Sequence, residues 1–262
     1  MNKNRILCYL LKRDLLYSYK KNITKYLSIL LIMTVIFFIV INKFKSRENT
    51  SIGIIVFEIF KGISYDIDYN NLSFPTMWFL VNSFILFIVA KYVNEDLKIN
   101  AIYLMSRCSR LQIWTSKILW TIISVITYYA LVFLIIFVIG NMLNVGWKSY
   151  NELYGVKLST IQLLLDIFII YVTTSIMLCI LQITLSLTIN YNYSYLILII
   201  LIIVSIFTKN NLMPAQHSLL LRHAPFDLIH SLSVSKSLLY NLIVSIALIM
   251  ISRKLVLYKD IL

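Results

Sequence analysis

Long apolar runs alternate with short polar and basic stretches along the chain, and the lengths of the runs carry the first inference. Six runs, near residues 26–42, 75–93, 118–143, 161–187, 193–208 and 237–251, hold almost no charged side chains. A hydrocarbon layer about 30 Å thick is crossed by about 20 helical residues, so the pattern predicts six transmembrane helices. The fifth and sixth are the shortest. A run of about 16 residues rises only about 24 Å, so the fifth is expected to stop short of one interface or to continue into a re-entrant segment, and the longer fourth to tilt.

The polar stretches have patterns of their own. Over residues 5–21, Leu7, Leu10, Leu11, Leu15 and Tyr19 recur at helical spacing, while Arg5, Lys12, Arg13, Lys20 and Lys21 favour other faces. That predicts an amphipathic interfacial helix, with basic side chains on anionic lipid at about 1 kcal/mol each. The alternative is a plain lead-in to the first span. No small-residue cleavage site follows that span, so it is read as retained rather than as a secretory signal.

Between the first two runs, "SIGIIVFEIFKGI" at residues 51–63 is too short to span and too apolar for a wet loop. It predicts an interfacial or re-entrant helix, or a segment packed on a second copy of the chain. Residues 94–114, "NEDLKINAIYLMSRCSRLQIW", contain no Gly or Pro and predict two short helices joined near residues 106–109. Such a helix presents Leu104, Met105, Leu111 and Trp114, with Arg107 and Arg110 at the rim. It suits docking into a groove of a soluble partner, or anchoring of Arg107, Arg110 and Lys117 on lipid headgroups.

Composition agrees with a lipid setting: 60% of residues are hydrophobic, 13% are charged, and the mean hydropathy is +0.84. The fold class is therefore all-α: one transmembrane domain over residues 1–262. It divides into an N-terminal helix (1–25), a six-helix membrane region (26–251) and a basic tail (252–262). Of the 24 Lys and Arg residues, 15 fall on the side that holds both chain ends and the 94–116 loop. The positive-inside rule then places both termini in the cytoplasm of a multi-pass cell-membrane protein. The same clustering accounts for the net charge of +13 without nucleic acid as a partner. Cys8, Cys108 and Cys179 lie too far apart in setting to form a disulfide framework.

Candidate chemistry is sparse. Asp166, with Gln162 one turn before it, is the one acid inside a predicted span, and such a group is either a functional intramembrane site or is satisfied by Gln162, Tyr171 or an outer-loop Lys. Asn82, Thr173 and Gln182 are placed to join spans by hydrogen bonds worth about 0.6 to 2 kcal/mol. His223, Asp227 and His230 share a face if their segment is helical, but ligands on one helix converge poorly and Pro225 interrupts them, so no metal is assigned. There is no H-E-x-x-H and only that single span acid, which argues against an intramembrane protease. None of the five glycines belongs to a phosphate loop.

The order of an N-terminal amphipathic helix, six spans, a loop reading "YLMSRCSRLQIWTSKIL" and a closing "RKLVLYKDIL" resembles the permease subunits of ABC transporters of the type-2 exporter class. In that family the first cytoplasmic loop commonly carries a Ser-Arg-x-x-Ser-Arg-like segment followed by a Lys that opens the third span. Ser106, Arg107, Ser109, Arg110 and Lys117 match it, and Cys108 stands where a Pro is often found. The terminal Lys259, Asp260, Ile261 and Leu262 match the short basic tail with its Asp-Ile/Leu finish. The resemblance implies a coupling helix at residues 94–116, flanked by the N-terminal helix, that docks on a separate cytoplasmic ATP-binding subunit. ATP and Mg would then be held by that subunit, with no cofactor in this chain, which by itself is not an enzyme. It further implies a second permease chain, contact with membrane lipid, and export of an amphipathic or hydrophobic cargo such as a peptide, lipid or drug. A non-transporting membrane partner, such as an immunity or assembly protein, is the alternative.

Overall fold

The computed structural model describes residues 3–45, 50–65, 74–99, 104, 108–224, 226–227 and 232–258. Its helices are α1 (Lys3–Lys45), α2 (Ile52–Phe60), α3 (Thr76–Ile99), α4 (Arg110–Met142), α5 (Thr160–Ser186), α6 (Tyr191–Phe207) and α7 (Val234–Tyr258). Each of the six apolar runs lies in one of them to within a residue at the ends. α1, α3, α4, α5 and α7 are long and apolar enough to cross a membrane, and α6 is an apolar helix of 17 residues. The dominance of helix follows from the solvent: in hydrocarbon only internally paired backbone avoids a cost of several kcal/mol per orphaned group.

Cross-contacts fix which ends meet. Asp14 of α1, Asp96 of α3 and Lys117 of α4 touch one another, and Trp114 of α4 reaches Ser252 of α7. The start of α1, the end of α3, the start of α4 and the end of α7 therefore share one end of the bundle, here the terminal end. Opposite, between α4 and α5, strands β1 (Tyr150–Leu153) and β2 (Val156–Ser159) form an antiparallel hairpin that marks the hairpin end.

Four features depart from the sequence reading. The helix expected at residues 5–21 is not separate, because α1 continues unbroken for 43 residues, about 65 Å, from that segment through the first span. The 94–116 loop is shorter than expected, since α3 continues to Ile99 and α4 already begins at Arg110. The chain is not wholly helical: Tyr154 (φ 50°) and Gly155 (φ 77°) supply the two positive-φ positions of a tight hairpin turn. Finally, α2 is enclosed by its own chain. Ile52 N–H donates to the Gly146 carbonyl at 3.2 Å at the hairpin end. Eight residues further in, the Tyr171 hydroxyl donates to the Phe60 carbonyl at 2.6 Å, and the Phe60 ring packs on Tyr171 and Phe133 with centroids 4.7 and 5.5 Å away. α2 thus inserts beside α5 as far as Tyr171, the twelfth residue of that helix. Ile52, Ile55, Ile59, Phe57 and Phe60, apolar enough for lipid, are buried against protein instead.

Candidate functional site

The segment expected to dock a partner is described in part. Met105 and Arg107 lie outside the described residues. Leu104 is half-buried, and its carbonyl accepts from Cys108 N–H at 2.8 Å, which is one helical turn. Ser109 then caps α4 reciprocally with Gln112: the Gln112 N–H donates to Ser109 Oγ at 3.3 Å, and the Ser109 N–H to Gln112 Oε1 at 3.0 Å. Arg110 and Leu111 are half-buried in the first turn of α4. Trp114, expected on the docking face, is only 3% exposed and donates from its indole to Ser252 at 3.2 Å. It is turned inward because α4 packs against α7 here.

Immediately beyond, the terminal end is held by a buried ion cluster. Lys117 is 0% exposed, and Asp14 and Asp96 are each 1% exposed. Lys117 Nζ donates to Asp14 at 2.8 Å and also to Asp96. Arg13 Nη2 bridges the same carboxylates, at 2.5 Å to Asp14 and 2.7 Å to Asp96. Ser116 Oγ donates to the other Asp14 oxygen at 2.7 Å. The Tyr92 hydroxyl donates to the Asp14 carbonyl at 3.3 Å, and Lys117 lies 4.9 Å from the Tyr92 ring centre. Two carboxylates face two cations, so the cluster is neutral as a whole and joins α1, α3 and α4. Buried charges persist only when paired and hydrogen-bonded in this way.

The sequence reading gives Lys117 a place on lipid headgroups or at the opening of the third span, and assigns Asp14 and Asp96 no role. One signal was available: Asp14, Ser18, Asn22 and Tyr26 recur every four residues, a polar line on one face of α1, and all four are buried.

A second polar cluster sits at the C-terminal end of α6. α6 stops at Phe207, and the chain folds into two tight 3-10 turns, Pro214–Ser218 and Leu220–Arg222. The fully buried Arg222 guanidinium caps the spent helix, donating to the carbonyls of Ser205 (3.0 Å), Thr208 (3.0 Å) and Ile206 (2.5 Å). A cation there satisfies orphaned carbonyls and the negative end of the helix dipole together. Its other face lies 4.5 Å from the Tyr65 ring centre, and burial lowers the guanidinium to about 10.

Beside it, His217 Nδ1 shares a 3.0 Å hydrogen bond with Ser237 of α7, and its ring stacks on Tyr240 at 4.2 Å. His223 Nε2 donates to the His217 carbonyl at 3.0 Å. Burial, with His223 alongside, pushes His217 down to about 4. Burial likewise pushes His223 down to about 4. His223 is thus buried among protein groups. His230 lies outside the described residues, and among those described no three His, Cys, Asp or Glu side chains are grouped to hold a metal.

Asp166 is half-buried and Gln162 exposed on α5. Among the described residues no hydrogen bond or ion pair joins them, and the Tyr171 hydroxyl is committed to Phe60. No protein-family model matches the chain, and no curated protein or solved structure matches it.

Proposed function

We propose that the chain is the membrane-spanning permease subunit of an ATP-driven exporter of the type-2 ABC kind, coupled through the connection between α3 and α4 to a separate cytoplasmic ATPase. The observation that carries this reading is that, among the described residues, the start of α1, the end of α3, the start of α4 and the end of α7 meet at the terminal end of the bundle, the end to which the sequence reading assigns 15 of the 24 basic residues. By the charge rule this end faces the cytoplasm. The short α6 followed by turns folded back against it fits the same layout, in which re-entrant elements lie between the fifth and sixth spans.

In this reading, force on Leu104, Arg110 and Leu111 enters α4 at its capped first turn, and Lys117 passes it to α1 and α3 through the ion cluster. Two copies, identical or related, form the path for an apolar or amphipathic cargo. ATP binding biases the path only through differential affinity between its states.

The test is co-expression of the tagged chain with candidate ATPase subunits and purification in mild detergent. The reading expects an ATPase that co-purifies with the wild-type chain and is lost from the Arg107→Glu, Arg110→Glu double variant. Purification of the chain alone under those conditions sinks it and favours a non-transporting membrane partner.

A further inference from the structure

A groove of about 440 Å³ runs along the outer face of the first part of α1, lined by Tyr9, Lys12, Arg13, Leu16, Tyr17 and Lys20. We propose that it binds the headgroup phosphate of an anionic phospholipid. This inference stands independently of any transport role.

Three of the six lining residues are cationic and none is acidic, so the groove selects a negative charge. Lys12 and Lys20 are exposed, eight residues apart on one face, and neither is engaged by another group among the described residues. The guanidinium of Arg13 turns Nε and Nη2 inward to Asp14 and Asp96. Nη1 has no partner among the described residues, and a quarter of the side chain remains exposed.

A free phosphate or an acidic peptide would use the charges alone. The apolar surroundings favour a lipid. Tyr9, Leu16 and Tyr17 are exposed inside the groove, and the exposed line continues up the same helix through Ile23, Leu27 and Leu31 into the span. From Leu16 to Leu27 the helix rises about 16 Å, the length of an acyl chain laid against it. One molecule with a phosphate head and apolar tails covers both halves of the surface, with Tyr9 and Tyr17 at the polar–apolar boundary that tyrosine favours.

Arg13 gives the site a consequence. Its guanidinium both walls the groove and bridges the two buried carboxylates, so a bound headgroup adds a partner to the cluster that ties α1 to α3 and α4. Anionic lipid should therefore stabilise the bundle as well as adhere to it.

The test titrates the detergent-solubilised full chain with phosphatidylglycerol, phosphatidylcholine or inorganic phosphate, reading bound lipid by native mass spectrometry and the thermal unfolding midpoint in parallel. Phosphatidylglycerol is expected to bind in preference to phosphatidylcholine and to raise the midpoint, with no rise from inorganic phosphate. Neutralising both exposed lysines, Lys12→Gln with Lys20→Gln, should weaken phosphatidylglycerol binding about thirtyfold, from roughly a fivefold contribution per cation near an anionic headgroup. The variant's midpoint without lipid should be unchanged, since neither lysine supports the fold. Equal binding of the two lipids, or a double variant that keeps its preference, overturns the proposal. A rise with inorganic phosphate equal to that with lipid overturns the assignment of the source.

Discussion

Replacing Lys117 with Met tests the ion cluster most sharply, because methionine nearly matches the length of the lysine stem and removes only its charged head. Asp14 and Asp96, each 1% exposed, would then keep the partly exposed Arg13 but lose the fully buried cation between them. Breaking a buried pair by removing one partner costs about 3–5 kcal/mol, since the surviving charge stays buried without compensation. The exposed pair Lys21–Glu95, 3.1 Å apart with both side chains about 30% exposed, supplies the control. Lys21→Met should cost less than about 1 kcal/mol. Adding Asp96→Asn to Lys117→Met removes one uncompensated charge and should recover a substantial part of the loss, so the two changes couple instead of adding. Equilibrium unfolding of the detergent-solubilised chain, followed by circular dichroism, measures all four proteins. A Lys117→Met cost no larger than that of Lys21→Met would refute the cluster as a structural centre, as would a double variant no better than the single.

Other consequences follow from the hairpin end. Arg222→Met strips the cation from three carbonyls at the end of α6, of which that of Thr208 keeps Gln216 Nε2 as a donor, so at about 1–3 kcal/mol for each of the other two acceptors it should cost about 2 kcal/mol or more and speed proteolysis between residues 208 and 213. His217 and His223, each held near 4 in the folded chain, bind protons more readily when unfolded. Stability is therefore full above about pH 6.5 and falls as pH drops toward 4, by about 3 kcal/mol per histidine. Unfolding midpoints measured from pH 7.5 to 4.5 should show this slope, flattened in the His217→Gln, His223→Gln double variant. Gly62 combines φ +69° with a would-be Cβ 2.5 Å from Leu219 Cδ2, whereas Gly155, at φ +77°, has open space there. Gly62→Ala should lower the unfolding midpoint more than Gly155→Ala, whose cost is about 1 kcal/mol of backbone strain alone.

Hydropathy located all six apolar helices because length and apolarity are local properties. It misplaced what depends on distant partners. α2 reads equally as an interfacial or re-entrant helix or as a segment packed on a second copy, and the partners it has are α5 and the hairpin of its own chain, because transfer from water does not distinguish lipid from protein as the destination. Asp14 lies 103 residues from Lys117 and Asp96 lies 21 from it, so their pairing is invisible to any window along the chain. The continuity of α1 was legible in the absence of Gly and Pro over residues 3–45, but the switch from basic to apolar composition near residue 25 suggested a break that helix geometry does not need. The hairpin was within reach too: Tyr154-Gly155 between short alternating stretches is a turn signal. Arg222 read as an outer-loop charge, because nothing local announces that α6 ends where its carbonyls need a cation.

If the chain is the membrane partner of a separate ATPase, as proposed, ATP hydrolysis in co-reconstituted proteoliposomes must depend on it. The account predicts that a cognate ATPase subunit hydrolyses ATP faster with the wild-type chain than without it, and that the Arg107→Glu, Arg110→Glu variant abolishes the increase. Hydrolysis indifferent to the chain, across every ATPase that associates with it, would contradict the account.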